Sequence, residues 1–488
     1  MSSISHTLDT WADLLYETLS RRLILAATII ALLTAFLIRD NIADPDLFAR
    51  LAMGKAIHEL GYVPEKDPFA FTPKHELWID HEWGSGLIFY AIYLLGGEQA
   101  LTLSKFFGIY LTLWLLIHAH KTYAQRDSIS TPLFILLCII QSGYVWMTTV
   151  RCHLFTYLFL AYLYFALTRH QRTKSLRYLI PFPLIMLCWA NLHGGFVVGL
   201  GILSLYTGVS ILQDGLRPSR AVITIALLAV LATCINPYGP VRYWEYILHA
   251  VTMPRSNIPE WLPLDPLSLE ATIPTICTVL ILRGAAIYRG VHSRFALTAL
   301  AVTVLYGYSK YRLHAIYMFT ALIYGAQYIE ASWSRLQILI PNLLPTARRS
   351  ATFIVALLIV ASTVTIIQQI SRGRLTQLNY RGYPVQALTW LKTHRNGGNL
   401  LVSFNAGSYA LWALPDSFKV SMDGRYEEVY PESTVLLVAD ALDATSKTQP
   451  KSLQKIDPDY VLTDHSLTLS TPWNKVYRDH EFTLYEKS

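Results

Sequence analysis

The sequence predicts a mostly α polytopic membrane protein of about 11 spans with a small C-terminal extracytoplasmic α/β domain. Three observations predict it. Of 488 residues, 53% are hydrophobic and only 15% charged, against roughly 25% charged in soluble domains. Apolar runs near the length a helix needs to cross a bilayer, about 20 residues, recur between residues 23 and 368. Beyond 368 the polar content becomes ordinary and such runs stop. This composition excludes an ordinary cytosolic enzyme, a disordered chain and a secreted disulfide scaffold. The five cysteines (138, 152, 188, 234, 277) are scattered without CxxC or CxxH spacing, so a disulfide framework or structural zinc site is not expected. The net charge of +7 calls for no nucleic acid, because membrane proteins collect Lys and Arg on their cytoplasmic side.

In chain order, residues 1–22 are polar and end in Arg21-Arg22, a cytoplasmic N-terminus leading into an anchor. Eleven spans are expected at 23–38, 99–118, 131–149, 153–168, 178–190, 196–213, 221–235, 270–282, 295–308, 315–330 and 351–368. With Arg21-Arg22 inside, the inner loops and N-terminus carry 16 Lys/Arg and the outer loops 10, as the positive-inside rule requires. The run 84–96 is short for a span and would invert every later loop, so it reads as an interfacial or re-entrant helix within the large outer loop 39–98. Eleven crossings place 369–488 outside the cytoplasm. Its pattern gives helices at 384–394, near 407–414 and at 433–444, and strands at 399–404, 419–423, near 459–464 and near 482–486.

The placement of polar residues separates a transporter from an enzyme. Transporters carry ionisable groups at mid-span; here only Lys105 does so. The polar clusters instead gather at the outer ends of spans. Asp44-Pro45-Asp46 opens the first outer loop, either as an acidic helix cap or as a carboxylate held above the membrane as general base or metal ligand. Asp80-His81-Glu82 lies between Trp78 and Trp83, as solvated interfacial charge or as ligands for a divalent cation. Arg151 with His153, and Arg312 with His314, occupy two outer turns where positive charge opposes the topology bias, either to meet ordinary headgroups or to bind an anionic partner such as a lipid phosphate. His193, in Asn191-Leu192-His193-Gly194-Gly195, suits packing, a substrate hydrogen bond or metal ligation. Glu260 is a loop anchor or an acceptor-site acid, and Asn405, Asp423 and Arg425 fall on loops at strand ends, where sites often form.

These segments together resemble the GT-C superfamily of integral-membrane glycosyltransferases. Asp44-Pro45-Asp46-Leu47-Phe48-Ala49-Arg50 is similar to the DPxFNxR-type segment of oligosaccharyltransferase catalytic subunits. The resemblance implies that Asp44 is catalytic and helps bind a divalent metal, Mg or Mn, with Asp46 second. The Arg151 turn is similar to the Arg-containing outer turn of aminoarabinose and mannose transferases. The tail stretches Leu401–Leu414 and Lys419–Arg425 resemble the family's WWDYGxW…DG region, with Phe404-Asn405-Ala406-Gly407-Ser408 replacing its Trp pair and Asp. The whole chain resembles more closely a bacterial GT-C-like group with DPDxxxHLxxG, WxxHEW, WANLHGG and DGR segments.

The implied function is transfer of a sugar from a polyprenyl-phosphate- or diphosphate-linked donor to a glycan, lipid or protein acceptor, on the outer face of the bacterial cytoplasmic membrane. No nucleotide cofactor is expected. In this reading Asp44 and Asp46 are catalytic, and Arg151, His153, Arg312 and His314 hold the donor phosphate. Asp44, Asp80, His81 and Glu82 face a metal; His193, Glu260, Asn405, Asp423 and Arg425 serve the acceptor. The alternatives are a non-catalytic binder or carrier of polyprenyl-linked glycans, and a GT-C scaffold that has lost activity.

Overall fold

The computed structural model describes residues 41–124, 149–253, 258–339, 376–464 and 467–488, with a few isolated positions besides. The expected N-terminal segment 1–22 and the spans at 23–38, 131–149 and 351–368 lie essentially outside the described residues.

The chain is mostly helical. Helix α1 (Pro45–Leu60) begins on the Asp44 cap with Pro45 in its first turn and ends on Gly61 in the left-handed region, φ +76°. Helix α2 (Trp83–Ala124) breaks at Gly96-Gly97, where Gly97 takes φ +60°. Helix α2 therefore joins two helices across a kink, which falls at the boundary between the expected helix at 84–96 and the expected span at 99–118. Its first half lies against α1 at Gly54 and Gly86, where a Cβ on Gly54 would sit 2.1 Å from the Gly86 carbonyl oxygen. Then follow α3 (His153–Thr173), α4 (Phe182–Leu192), α5 (Phe196–Asp214), α6 (Leu216–Ala232) and α7 (Pro240–Thr252). Helices α8 (Thr272–Ile287) and α9 (Arg294–Ser309) precede α10 (His314–Thr320), which runs through a π-turn at Ala321–Gly325 into α11 (Ala326–Leu339). The expected inner loop 331–349 thus begins as helix.

Among the described residues two helices, α2 and α5, are long and apolar enough to cross a membrane, and two shorter apolar helices lie at Leu176–Leu192 and Thr272–Ile287. Several helices turn large apolar side chains outward: Leu184, Leu227, Leu282 and Leu305 are all exposed. Contiguous apolar surface of this kind marks a contact face rather than a water-facing one.

The tail carries a five-stranded sheet in the order β2-β1-β3-β5-β4. Its strands are β1 (Gly398–Leu401), β2 (Phe418–Val420), β3 (Tyr460–Asp464), β4 (Trp473–Arg478) and β5 (Phe482–Lys487). β1 pairs in parallel with β2 and β3; β5 is antiparallel to β3 and β4. Helices α12 (Val385–His394), α13 (Phe404–Ala413), α14 (Tyr426–Val429), α15 (Glu432–Leu442) and α16 (Gln449–Ile456) surround it.

Two backbone devices fix the tail against the helices. Ala70 of the first loop bridges Val420, with Phe71 N–H donating to the Val420 carbonyl and Val420 N–H to that of Phe69, which covers the β2 edge. Ile42 bridges both Thr149 and Asn379 in parallel. That register sets Asp44 and Arg151, each two residues further on, side by side. Lys105, buried, donates to the Asn41 side chain at 2.6 Å, so the one mid-span charge fastens this junction.

Candidate functional site

The ends of α1, α3, α5 and α9, the turns beside them and the tail enclose a cavity of about 1260 Å³. Asp44, Asp46, His81, Glu82, Arg151, His153, His193, Glu260, Arg312, Asn405 and Arg425 all line it. Residues expected from separate loops are thus brought together.

The first group centres on Arg151. Asp44 caps α1, its carboxylate accepting from Asp46 N–H at 2.9 Å, and is buried. The expected helix cap is observed, and the same residue lines the cavity. Arg151 Nε lies 3.6 Å from Asp44 Oδ1, and its Nη2 pairs with Asp46. The same Nη2 is 3.6 Å from Glu260 Oε1, which lies 3.5 Å from Arg312 Nη1. Glu260 is therefore held at the basic end of the cavity rather than at a separate acceptor end. Burial raises the Asp44 carboxyl to about 6, with Asp46 adding and Arg151 opposing.

The second group centres on Arg50, whose guanidinium pairs with Asp80 and lies 3.6 Å from Glu82 and 3.9 Å from Glu428. Glu82 accepts from the Cys152 thiol at 3.0 Å and faces His81 Nε2 at 3.5 Å and His193 Nε2 at 3.6 Å. Burial works against its charge, but His81, Arg50 and His193 hold the Glu82 carboxyl down at about 2. Burial pushes Glu428 up to about 7, with His81 and Arg50 opposing and Glu82 and Asp80 adding.

The His193 ring is oriented from behind. Trp189 donates to Thr156 Oγ1 at 2.8 Å, Thr156 Oγ1 lies 2.7 Å from His193 Nδ1, and Gly195 N–H donates to that Nδ1 at 2.9 Å. A nitrogen that accepts a backbone N–H carries no proton, so the neutral ring keeps its proton on Nε2, facing Glu82. Gly195 leaves no room beside this chain: a Cβ there would lie 2.3 Å from Thr156 Oγ1. Gly195→Ala is expected to displace Thr156 and cost about 1–3 kcal/mol by overpacking, read as a lowered Tm with an altered His193 ring signal in nitrogen NMR.

Glu82, Cys152 and His193 place their ligand atoms within 4.8 Å of one another, the spacing of a metal-binding triad. The set departs from the Mg or Mn ligands expected from the resemblance. Those ions take oxygen ligands, whereas this trio offers one carboxylate, one thiol and one imidazole whose Nε2 bears its proton. Asp44, Asp80 and His81 are not among these three residues.

Three expected site residues lie elsewhere. Asp80 is fully buried behind the cavity wall, against Arg50 and Tyr238. His314 is buried between the carbonyls of Tyr311 and Gln141, so it does not reach a phosphate beside Arg312. Asp423 is buried in a clamp: Arg425 donates to both its oxygens at 2.7 and 2.8 Å and to Asp67 at 2.6 Å, while Tyr430 donates to Asp423 at 2.5 Å. The Arg425 guanidinium also stacks over Trp78 at 4.6 Å. These groups fasten the first loop to the tail. Conversely, Glu428, Thr156 and Cys152 were absent from the expected set. The acid pair Glu427-Glu428, one residue beyond Asp423-Gly424-Arg425, was the one available signal.

No family model matches this chain, and no curated protein matches it. Among solved structures it is similar to the oligosaccharyltransferase of Archaeoglobus fulgidus, crystallised in complex with Zn and sulfate. The TM-score is 0.49 at 11% sequence identity, over 90% of this chain and 68% of that one.

Proposed function

We propose that this chain is a membrane glycosyltransferase that moves a sugar from a polyprenyl-phosphate-linked donor to an acceptor at the outer face of a cytoplasmic membrane. The observation that carries this reading is the mixed lining of this cavity. One wall is apolar, built by Val197, Gly201, Leu205, Val302, Tyr306 and Ile316 on α5, α9 and α10. The other end gathers Arg151, Arg312, His153 and the Asp44 and Asp46 carboxylates. A ligand matching both ends has a long hydrocarbon tail and an anionic head. His153 adds a buried Nε2 without a hydrogen-bond partner at that head, a group that a bound ligand would satisfy.

The chemistry follows from the charges. The bond between the anomeric carbon and the phosphate oxygen breaks, and the phosphate leaves with that electron pair. Arg151 and Arg312 lie where the developing charge needs stabilising. The acceptor nucleophile attacks the anomeric carbon and gives its proton to Asp44. No step is routed through a metal. The tail supplies Asn405 to the cavity wall.

A base whose carboxyl sits at about 6 is ionised at neutral pH and protonated below it. Transfer is therefore expected to rise as pH increases through about 6 and to level off above. An assay of membranes with a lipid-linked donor checks this; a rate that is flat from pH 5 to 7.5 contradicts Asp44 as the base.

A further inference from the structure

Glu260 occupies a position that its charge makes conspicuous. It lies on the short turn Pro259–Trp261, and one of its oxygens, Oε1, faces both Arg151 Nη2 at 3.6 Å and Arg312 Nη1 at 3.5 Å. Both distances exceed hydrogen-bond range, so the carboxylate offsets charge without closing the guanidinium hydrogen bonds. The turn is pinned where it is: Leu264 N–H donates to the Tyr308 carbonyl at 2.9 Å and Tyr311 N–H to that of Leu262 at 2.8 Å. Trp261 lies under both Lys310 and Arg312, at 4.6 and 4.7 Å. The segment therefore presents an anion, on a braced support, between the two guanidiniums that face the head of the cavity.

We infer that Glu260 is a built-in competitor at the donor-phosphate position: an anion that holds this position and that any incoming phosphate must displace. This rests on the donor reading above. An anion bound between Arg151 and Arg312 takes over the contacts that Glu260 makes, and closes charge-assisted hydrogen bonds that Glu260 leaves open. The exchange lowers the affinity of every phosphate by one common factor. Free inorganic phosphate has nothing to set against that factor. A lipid-linked phosphate has its tail in the apolar trough, where burial of each methylene adds to binding. Glu260 thus keeps the head of the site clear of small anions while the lipid-linked one still binds.

The test is calorimetric titration of the full-length purified chain with three probes: farnesyl phosphate, farnesol and inorganic phosphate. The wild-type chain is expected to bind farnesyl phosphate more tightly than farnesol, and inorganic phosphate weakly. Glu260→Gln and Glu260→Ala are expected to tighten both phosphates by a similar factor, roughly fivefold for two partly exposed ion pairs, and to leave farnesol unchanged. Unchanged or weakened phosphate binding in both variants overturns the role of Glu260, while the donor reading stands on the wild-type preference. Equal tightening of farnesol also overturns it, since that reports a loosened cavity. If no chain distinguishes farnesyl phosphate from farnesol, the donor reading itself fails.

Discussion

Asp44→Asn is expected to lower transfer by about 10²–10⁴-fold, the usual contribution of a general base, while the protein folds and inserts normally. The two halves of this expectation have separate physical origins. Asn keeps the oxygen that accepts from Asp46 N–H, so the cap on α1 survives. Arg151 keeps Asp46 and Glu260 as counter-charges. The Asp44 carboxyl, raised by burial from 3.8 to about 6, is less stable ionised in the folded chain than in the unfolded one. The sign is that of a raised carboxylate: the cost to folding appears as pH climbs through 3.8, and is complete above about 6. It amounts to about 3 kcal/mol at most. Replacing Asp44 by a neutral isostere removes that cost, so Tm at pH 7.5 should stay or rise as activity disappears. A variant that loses Tm together with transfer would show Asp44 to be a structural cap alone.

The second large effect is expected at Arg425. Its guanidinium is buried and neutralises Asp423 and Asp67, one from the tail and one from the first loop. Arg425→Ala leaves the buried Asp423 carboxylate without a counter-charge and Asp67 with Lys74 alone, a change that costs about 3–5 kcal/mol. Arg425→Lys restores the charge but not the bidentate fork, and should fall between. The loss is local to the junction of loop and tail, so protease cutting of the tail should accelerate more than the Tm of the helical part falls. Tail protection equal to wild type in Arg425→Ala would remove the clamp from this account.

The helical part of the fold was legible because apolar runs of fixed length are a one-dimensional signal; α3, α5 and α9 start within a residue of the expected spans. The strands at Tyr460–Asp464 and Phe482–Lys487 were legible for a similar reason, being apolar runs bounded by acids. β4 was not expected: Trp473–Arg478 is half exposed and mixes Asn, Lys and Arg with its aromatics. α16 is short and mostly polar, and escaped for the same reason.

The site divides along the same line. Asp44, Arg151 and Arg312 stood out as charges at the ends of apolar runs. What the sequence could not show was which charge each one meets. Asp423 and Arg425 resembled a site on a strand-end loop, but their third partner is Asp67, more than 350 residues away. His314 shares a turn with Arg312, yet one turn of helix directs it to Gln141 instead of the cavity. Glu428 follows the clamp by three residues and reaches Arg50 and His81 through the fold alone.

The central claim is that an anionic lipid lies with its tail on the α5–α9 wall and its phosphate between Arg151 and Arg312. A polyprenyl phosphate carrying a photoreactive diazirine in its chain tests this most directly. The account predicts that the label attaches to residues such as Val197, Leu205 and Val302, that unlabelled polyprenyl phosphate blocks it, and that the corresponding alcohol blocks it far less. Label spread over the outward-facing leucines, or blocked equally by the alcohol, would contradict it.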